Sequence, residues 1–360
     1  MDSIFIEITL TDNCNCNCQY CFEGQKIHKP RNLDIENRQL ELLVAACEKF
    51  DTSKYDRFNI SFWGGEPFLN TEFMFKIISE TYKYDYVRYH CYSNGILIDK
   101  YKKLTNLEFF DSIRDRFHIQ LSYDGEPHHT LKRGKTGEQV LQTARFLQEQ
   151  NISFSFKSTL SYDMIQYLPK IWDSYKQLYI EFGDSALYFP TLDTAATPPE
   201  NCFDIWKKTI IEVAKKEYDF ITEYGNALWS WFSNGRKMNC KLENSIHLHN
   251  DGNIYVCHGC PYLDNKDRFI RQNIFEIKNL FDVVNEQFKM DLNEKCSNCE
   301  ATHCSACHVT QLKDTDDLYN DWSNCRSNDE NKCKYYKYFG YISKLLHFAL
   351  FKNRGIFNLK

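Results

Sequence analysis

Cys14-Asn15-Cys16-Asn17-Cys18-Gln19-Tyr20-Cys21 follows directly on the apolar run Ile4 to Leu10. Inside it sits Cys14-x3-Cys18-x2-Cys21. Three thiols this close cannot all pair with one another as disulfides. Their thiolates can grip three corners of one iron–sulfur cube, and a [4Fe–4S] cube takes four ligands. A missing fourth protein ligand leaves one iron open to a small molecule. A zinc site usually takes four protein ligands in paired CxxC form, and no fourth ligand pairs naturally here. Cys16 is left over, and the triad spacing makes it a bystander.

Outward from this loop the chain alternates strand-like and helix-like segments. Strand candidates are 4–10, 58–62, 86–92, 117–122, 152–160 and 185–191, with helical patterns at 36–50, 71–83 and 138–149 between them. Such alternation predicts β/α units on a parallel sheet. Six units fall short of a closed eight-stranded barrel, and chemistry in such sheets sits at the C-terminal strand ends. The segments there are the Cys loop, Trp63-Gly64-Gly65-Glu66-Pro67, Ser93-Asn94-Gly95, Ser122-Tyr123-Asp124-Gly125 with His129 and Arg133, and Lys157-Ser158-Thr159. Residues 193–200 read as a linker, followed by helices at about 201–222 and 224–233.

Composition narrows the class. Of 360 residues, 42% are apolar and 26% charged, enough for a sizeable core. The net charge of -5 argues against a nucleic-acid surface. No run reaches the length of a membrane span. Met1-Asp2-Ser3 leads straight into the first strand, so neither a signal peptide nor a domain before Ile4 is expected. Sixteen Cys in such a chain read as metal ligands rather than disulfides. They cluster, four within 14–21 and nine from 240 to 333. Cys47, on the apolar helix face with Leu40, Leu43 and Phe50, and Cys91, within a strand, read as packed core thiols.

The Cys triplet, with Tyr20 before its last Cys, resembles the radical S-adenosylmethionine (SAM) superfamily. The resemblance implies a partial (β/α)6 TIM-like barrel. In that family SAM binds the open iron, and an electron cleaves it to methionine and a 5′-deoxyadenosyl radical that abstracts hydrogen from substrate. By the same resemblance Gly64, Gly65, Glu66 and Pro67 meet the methionine amino group. Tyr20, Ser93, Asn94 and Ser122 belong to the cofactor site, and Arg133 suits the SAM carboxylate bidentately. Related enzymes read Asp-Gly-Pro before His-x3-Arg. Here Asp124-Gly125-Glu126 stands at that place, with Asp124 split between a capping and a substrate role.

The C-terminal pattern resembles the SPASM extension, which carries two auxiliary [4Fe–4S] clusters. Cys240, Cys257 and Cys307 would hold the first, with Cys260 or Cys333 as the spare ligand; position 246, where another Cys often stands, is Ile246. Cys296, Cys299, Cys304 and Cys325 would hold the second. A pair of zinc ribbons is the competing reading. Domains follow as 1–195 barrel, 196–235 linker helices, 236–333 SPASM and 334–360 a basic aromatic helix.

Three functions compete. The first is a peptide maturase making thioether or carbon–carbon crosslinks in ribosomal peptide biosynthesis. The second is an anaerobic sulfatase-maturating, formylglycine-generating enzyme. The third is a non-catalytic iron–sulfur or zinc protein, which has no use for Gly64-Gly65-Glu66-Pro67 or Arg133. In sulfatase-maturating relatives an Asp base follows the Cys of Gly-x4-Cys; here it is His258, a candidate base of its own. The implied cofactors are three [4Fe–4S] clusters and SAM. The implied partners are a peptide or protein substrate and a flavodoxin- or ferredoxin-type donor, in the cytoplasm. The tail 334–360 holds six Lys or Arg and no acid. It reads first as a packed helix, then as a dock for an acidic peptide or an anionic lipid surface.

Overall fold

The computed structural model describes residues 2–23, 29–186, 189–192, 199, 201–229, 232, 244–263, 266–284 and 330–353. In chain order the strands are β1 (Asp2–Thr11), β2 (Tyr55–Gly64), β3 (Val87–Ser93), β4 (Phe117–Ser122), β5 (Ser153–Leu160), β6 (Phe189–Leu192), β7 (Ser245–Leu248), β8 (Asn253–Tyr255) and β9 (Ile270–Asn273). The helices are α1 (Leu33–Glu48), α2 (Thr71–Thr81), α3 (Ile98–Thr105), α4 (Phe110–Ile113), α5 (His128–Arg133), α6 (Gly137–Glu149), α7 (Leu168–Phe182), α8 (Cys202–Tyr224), α9 (Leu280–Val284) and α10 (Glu330–Asn353). All six strands expected from the sequence form, each followed by helix.

Contacts divide the chain into two compact units, each assembled from three separate stretches of sequence. The first takes 1–122, 136–155 and 241–290, and the second takes 123–135, 156–240 and 291–360.

In the first unit β1 is the central strand. It pairs in parallel with β2 on one side and β7 on the other. Parallel pairing continues from β2 to β3 and on to β4. Beyond β7, the strands β8 and β9 run antiparallel. Ile4, Ile6 and Ile8 are fully buried on one face of β1, and Phe5, Glu7 and Thr9 take the other, as the two-residue period of a strand requires. β1 carries one irregularity, where the register steps from Thr9↔Trp63 to Thr11↔Gly64, so Leu10 is an extra residue just before the Cys loop. Strands β7 to β9 were not foreseen. Their signals were short: Ser245-Ile-His-Leu, then Asp251-Gly252 with Gly252 at φ 87, the backbone a hairpin turn favours.

In the second unit β5 and β6 pair in parallel, Lys157 opposite Phe189. Helix α8 ends at Gly225, which takes the left-handed cap conformation at φ 83. The helix expected at 224–233 therefore does not begin there. Residues 225–228 run as bends and irregular backbone, Trp229 makes an isolated bridge, and most of 230–243 lies outside the described residues. Cys47 and Cys91 are buried core thiols as expected.

Candidate functional site

The Cys loop hangs from the C-terminal end of β1, and its stem is closed by hydrogen bonds. Asn13 Nδ2 donates to the Lys29 carbonyl at 3.0 Å, and Lys29 N–H donates to Asn13 Oδ1 at 2.9 Å. Lys29 Nζ also donates to Asp12 Oδ2 at 2.9 Å. Just past β2, Gly65 N–H donates to Thr11 O and Glu66 N–H to Asn13 O, both at 2.9 Å. This approach demands glycine: a Cβ on Gly65 would lie 2.4 Å from Asn13 O. Within the loop Cys21 N–H donates to Cys18 O at 3.1 Å, and Cys16 N–H to Cys14 Sγ at 3.4 Å. Cys14, Cys18, Cys21 and Tyr20 are half-buried.

Glu66 is wholly buried and faces into the protein. Its carboxylate accepts from Ser93 Oγ at 2.8 Å, Asn94 N–H at 2.7 Å and Phe68 N–H at 3.1 Å. Burial pushes its pKa up to about 7 against these hydrogen bonds. Ser93 accepts in turn from Tyr101 OH at 2.5 Å and Gly95 N–H at 3.1 Å. So the Ser93 hydroxyl, expected to face the cofactor, is spent inside the fold. Asn94 Nδ2 reaches the loop directly, 2.7 Å from Asn15 Oδ1 and 4.0 Å from Cys14 Sγ. Ser122 ends β4 half-buried, and Pro67 is buried at the start of the turn after Glu66. The neighbouring thiols of Cys14 and Cys18 raise the Cys16 pKa.

Among the described residues no three Cys, His, Asp or Glu side chains converge on a single ion. A cube does not need them to, because each thiolate binds a separate iron. Three half-exposed thiols on one anchored loop at a strand end fit such a cluster.

The face of β1 opposite the isoleucines carries polar side chains in register. His247 of β7 lies opposite Glu7, Glu7 opposite Ser61, Ser61 opposite His90, and His90 opposite His118. His258, expected as a catalytic base, is bound to this row. Its backbone N–H donates to Glu7 Oε2 at 3.2 Å, and its ring Nδ1 lies 3.1 Å from the same oxygen. The ring stacks on Trp63 at 3.8 Å, which stacks on Tyr92 at 3.9 Å. Burial would lower the His258 pKa, but the Glu7 carboxylate outweighs it and raises it to about 9. Burial opposes ionisation of Glu7, but His258 and His247 together hold it well below the carboxylate range. Burial lowers both His247 and His90 to about 4. Sequence reasoning placed Trp63 at a strand end but missed Glu7, Tyr92 and the row of His247, His90 and His118. A lone acid inside Ile4 to Leu10 was the available signal. Close by, Cys257 and Cys260 sit in one turn with sulfurs 3.7 Å apart, suited to a shared metal group. Cys240, Cys296, Cys299, Cys304, Cys307 and Cys325 lie outside the described residues, as do the Cys333 side chain's surroundings.

The second unit holds a polar cluster of its own. Asp124 is wholly buried. Its carboxylate accepts from Arg133 Nε at 3.0 Å and Thr159 N–H at 3.1 Å, with His128 Nδ1 at 3.3 Å. Its N–H donates to His129 Nδ1 at 3.4 Å. The carboxylate oxygens of Asp124 are thus held by Arg133 and the Thr159 backbone within the fold. Arg133 commits its Nε to that contact.

Residues 8–167 match the profile of the radical SAM superfamily. No curated protein sequence matches the chain. Among solved structures, the chain is similar to native anSMEcpe with bound AdoMet and Cp18Cys peptide, with TM-score 0.69 and 17% identity, covering 97% of this chain and 99% of that one. It is also similar to Streptococcus suis SuiB bound to precursor peptide SuiA, with TM-score 0.56 and 15% identity, covering 87% and 74%. SuiB bound to S-adenosylmethionine gives 0.55 at 15% identity, covering 87% and 75%. At these identities the likeness is one of fold. The fold is α/β, the partial barrel of radical SAM proteins.

Proposed function

We propose that the protein is a radical SAM peptide maturase that abstracts a hydrogen from a peptide residue to form a thioether or carbon–carbon crosslink. The observation that carries this reading is the Cys14/Cys18/Cys21 loop, seated on Gly65 and Glu66 just past β2 and reached by Asn94 just past β3. When bound, the cluster and SAM supply one-electron cleavage and a 5′-deoxyadenosyl radical. The chain's own residues present the three thiols, fix the loop stem and line the sheet face beside it with Glu7, His258, Trp63 and Tyr92. A peptide substrate is supported by solved structures of similar fold, anSMEcpe with bound Cp18Cys peptide and SuiB bound to precursor peptide SuiA. The formylglycine alternative is weakened because His258 replaces the acid expected after Cys257 and turns its Nδ1 to Glu7. The spacing of Cys240, Cys257, Cys296, Cys299, Cys304, Cys307 and Cys325 supports two auxiliary clusters, with Cys260 or Cys333 as the spare ligand. The electron donor is a flavodoxin or ferredoxin type and the compartment is the cytoplasm. Among the described residues no helix is long and apolar enough to cross a membrane.

The test is iron and sulfide content after anaerobic reconstitution, with 5′-deoxyadenosine formation, in wild type and a Cys14/Cys18/Cys21 triple-Ala variant. About twelve iron per chain falling to about eight, with SAM cleavage abolished, follows from three four-iron cubes. About four falling to none, with zinc present, would turn the C-terminal Cys into a structural zinc module. Unchanged deoxyadenosine in the variant would overturn the enzyme assignment.

A further inference from the structure

The stem of the Cys loop is met on its other side by a buried histidine. His249 sits in the turn between β7 and β8, where its N–H donates to Asn253 O at 3.0 Å, and it is only 4% exposed. Its ring Nε2 lies 3.3 Å from Asp12 Oδ1 and its Nδ1 3.1 Å from Asp251 Oδ1. Asp12 belongs to the stem, just ahead of Asn13 and Cys14, and Asp251 belongs to the turn. An imidazolium donates from both ring nitrogens, so it answers both carboxylates at once. A neutral ring donates from one nitrogen alone. With Nε2–H kept on Asp12, its Nδ1 lone pair faces the Asp251 N–H at 3.3 Å, and the Asp251 carboxylate loses the ring as a donor. Burial opposes the charge on His249, but the Asp12 and Asp251 carboxylates outweigh it and raise the pKa above the usual 6.5. Around the ring also stand Tyr255 of β8 at 5.7 Å, Tyr262 at 5.8 Å and His247 of β7 at 6.0 Å between centroids. Tyr262 OH donates to Asp12 Oδ1 at 3.3 Å. Lys29 Nζ stands behind Asp12 at 2.9 Å and Lys266 Nζ behind Asp251 at 4.0 Å. Helix α1 offers the uncharged Gln39, whose Nε2 donates to His249 O at 3.0 Å.

We propose that His249 is a positioning residue for the Cys loop, tying the stem at Asp12 to the β7–β8 turn at Asp251, an inference that rests on the radical SAM reading of that loop. Close packing does not fix the stem here. A cavity of about 150 Å3, lined by Thr11, Lys29, Asn250 and Asp251 among others, lies beside it. A void gives the atoms that line it nothing to press against, so directional contacts set the position. On the β2 side these are the backbone hydrogen bonds from Gly65 and Glu66. On the β7 side they are the contacts of Asp12 to His249, Tyr262 and Lys29. The side chain of Asp12 is 11% exposed and that of Asp251 28%. Removing the ring leaves two carboxylates that water reaches poorly without the cation between them, which is costly. Asp12 then turns toward solvent and draws the stem, with Cys14, away from its seat.

The experiment follows iron release to a chelator from the reconstituted full chain, from about pH 6 to about pH 9, a window that spans histidine titration. The iron counted is the share that the Cys14/Cys18/Cys21 triple-Ala variant lacks. His249→Gln is expected to release it about tenfold faster than wild type at about pH 6. The raised folded pKa makes the contribution of His249 full below 6.5 and lost as pH rises through that folded value. The gap between the two proteins therefore closes toward about pH 9. Glu66 and His258 titrate within the same window in both proteins, so the difference between them reports His249. Asp251→Asn leaves the ring in place and is expected to speed release less. Combined with His249→Gln it should add little, because both act through one contact. Melting temperatures of the iron-free proteins are expected to show the same gap, closing with pH. Release from His249→Gln at the wild-type rate would overturn the proposal, and so would a gap of equal size at every pH, which a packing role alone produces. If His249→Gln does not fold, unchanged release from Asp251→Asn overturns it equally. A triple-Ala variant that keeps all its iron would sink the cluster reading instead, and the iron-free melting temperatures would still decide for or against His249.

Discussion

Gly65→Ala tests whether the Cys loop is seated as described. The added Cβ would meet Asn13 O at 2.4 Å, Asn13 C at 2.6 Å and Asp12 O at 2.7 Å, all backbone atoms that no side-chain rotation can move aside. Reaching the 3.4 Å at which ordinary contact begins requires the loop to retreat by about 1 Å. The same retreat stretches the Gly65–Thr11 and Glu66–Asn13 hydrogen bonds from 2.9 Å to about 3.9 Å, past bonding range. Two such bonds are worth about 1–3 kcal/mol together, a loss of a few degrees in melting temperature. The functional cost is larger, because a displacement of about 1 Å near a reacting centre costs on the order of a hundredfold in rate. The assay is deoxyadenosine formation under anaerobic single-turnover conditions, alongside iron content and melting temperature. A variant with full iron and a rate within about twofold of wild type would refute the seating of Cys14 on this backbone contact.

Other outcomes follow from the second unit and from the site. Glu217 is fully buried, accepts from Trp172 Nε1 at 2.6 Å and Trp229 N–H at 3.1 Å, and burial lifts its pKa from 4.5 to about 7. A folded-state pKa above the unfolded one means the native state holds the proton longer. Its stabilising effect is therefore full below pH 4.5 and lost as pH rises to about 7, by about 3 kcal/mol. Glu217→Gln should remove that slope, so melting curves of the two proteins converge or cross as pH rises through this window; parallel curves would contradict it. Tyr335 is fully buried with no hydroxyl partner among the described residues. Tyr335→Phe should leave urea stability within about 0.5 kcal/mol, while Tyr335→Ala should cost about 3–5 kcal/mol. Glu66→Ala removes one acceptor from three donors and should lower both melting temperature and iron content, whereas a cofactor contact alone would leave melting temperature unchanged.

The sequence carried the barrel strands well because each is a short β-rich run with a turn signal behind it, and β/α alternation leaves few topologies. It carried less where geometry decides. Ser93 and Glu66 look like ligand donors in a linear motif, but only the fold shows them hydrogen-bonded to each other. Asp124 likewise meets Arg133, nine positions on, only once α5 has formed. His247 and Glu7 are separated by 240 positions and become neighbours only through the β1–β7 pairing. Strands of three and four residues such as β8 and β7 give too little periodicity to read beside a dense Cys pattern that draws attention to metal chemistry.

The central place of β1 also has a consequence during synthesis. The strand emerges from the ribosome before both its neighbours, and β2 can cover one of its edges within about 55 further residues. Its other edge, Phe5 to Ile8, waits for Ser245 to Leu248. At about 5–20 residues per second that delay lasts on the order of 12–50 seconds. Through that interval a hydrophobic strand edge stands open on the nascent chain, a template for pairing with any other strand. Chains truncated before residue 245 never close it, so C-terminal deletions intended to isolate the barrel should aggregate, whereas deletions that keep β7 to β9 should stay in solution.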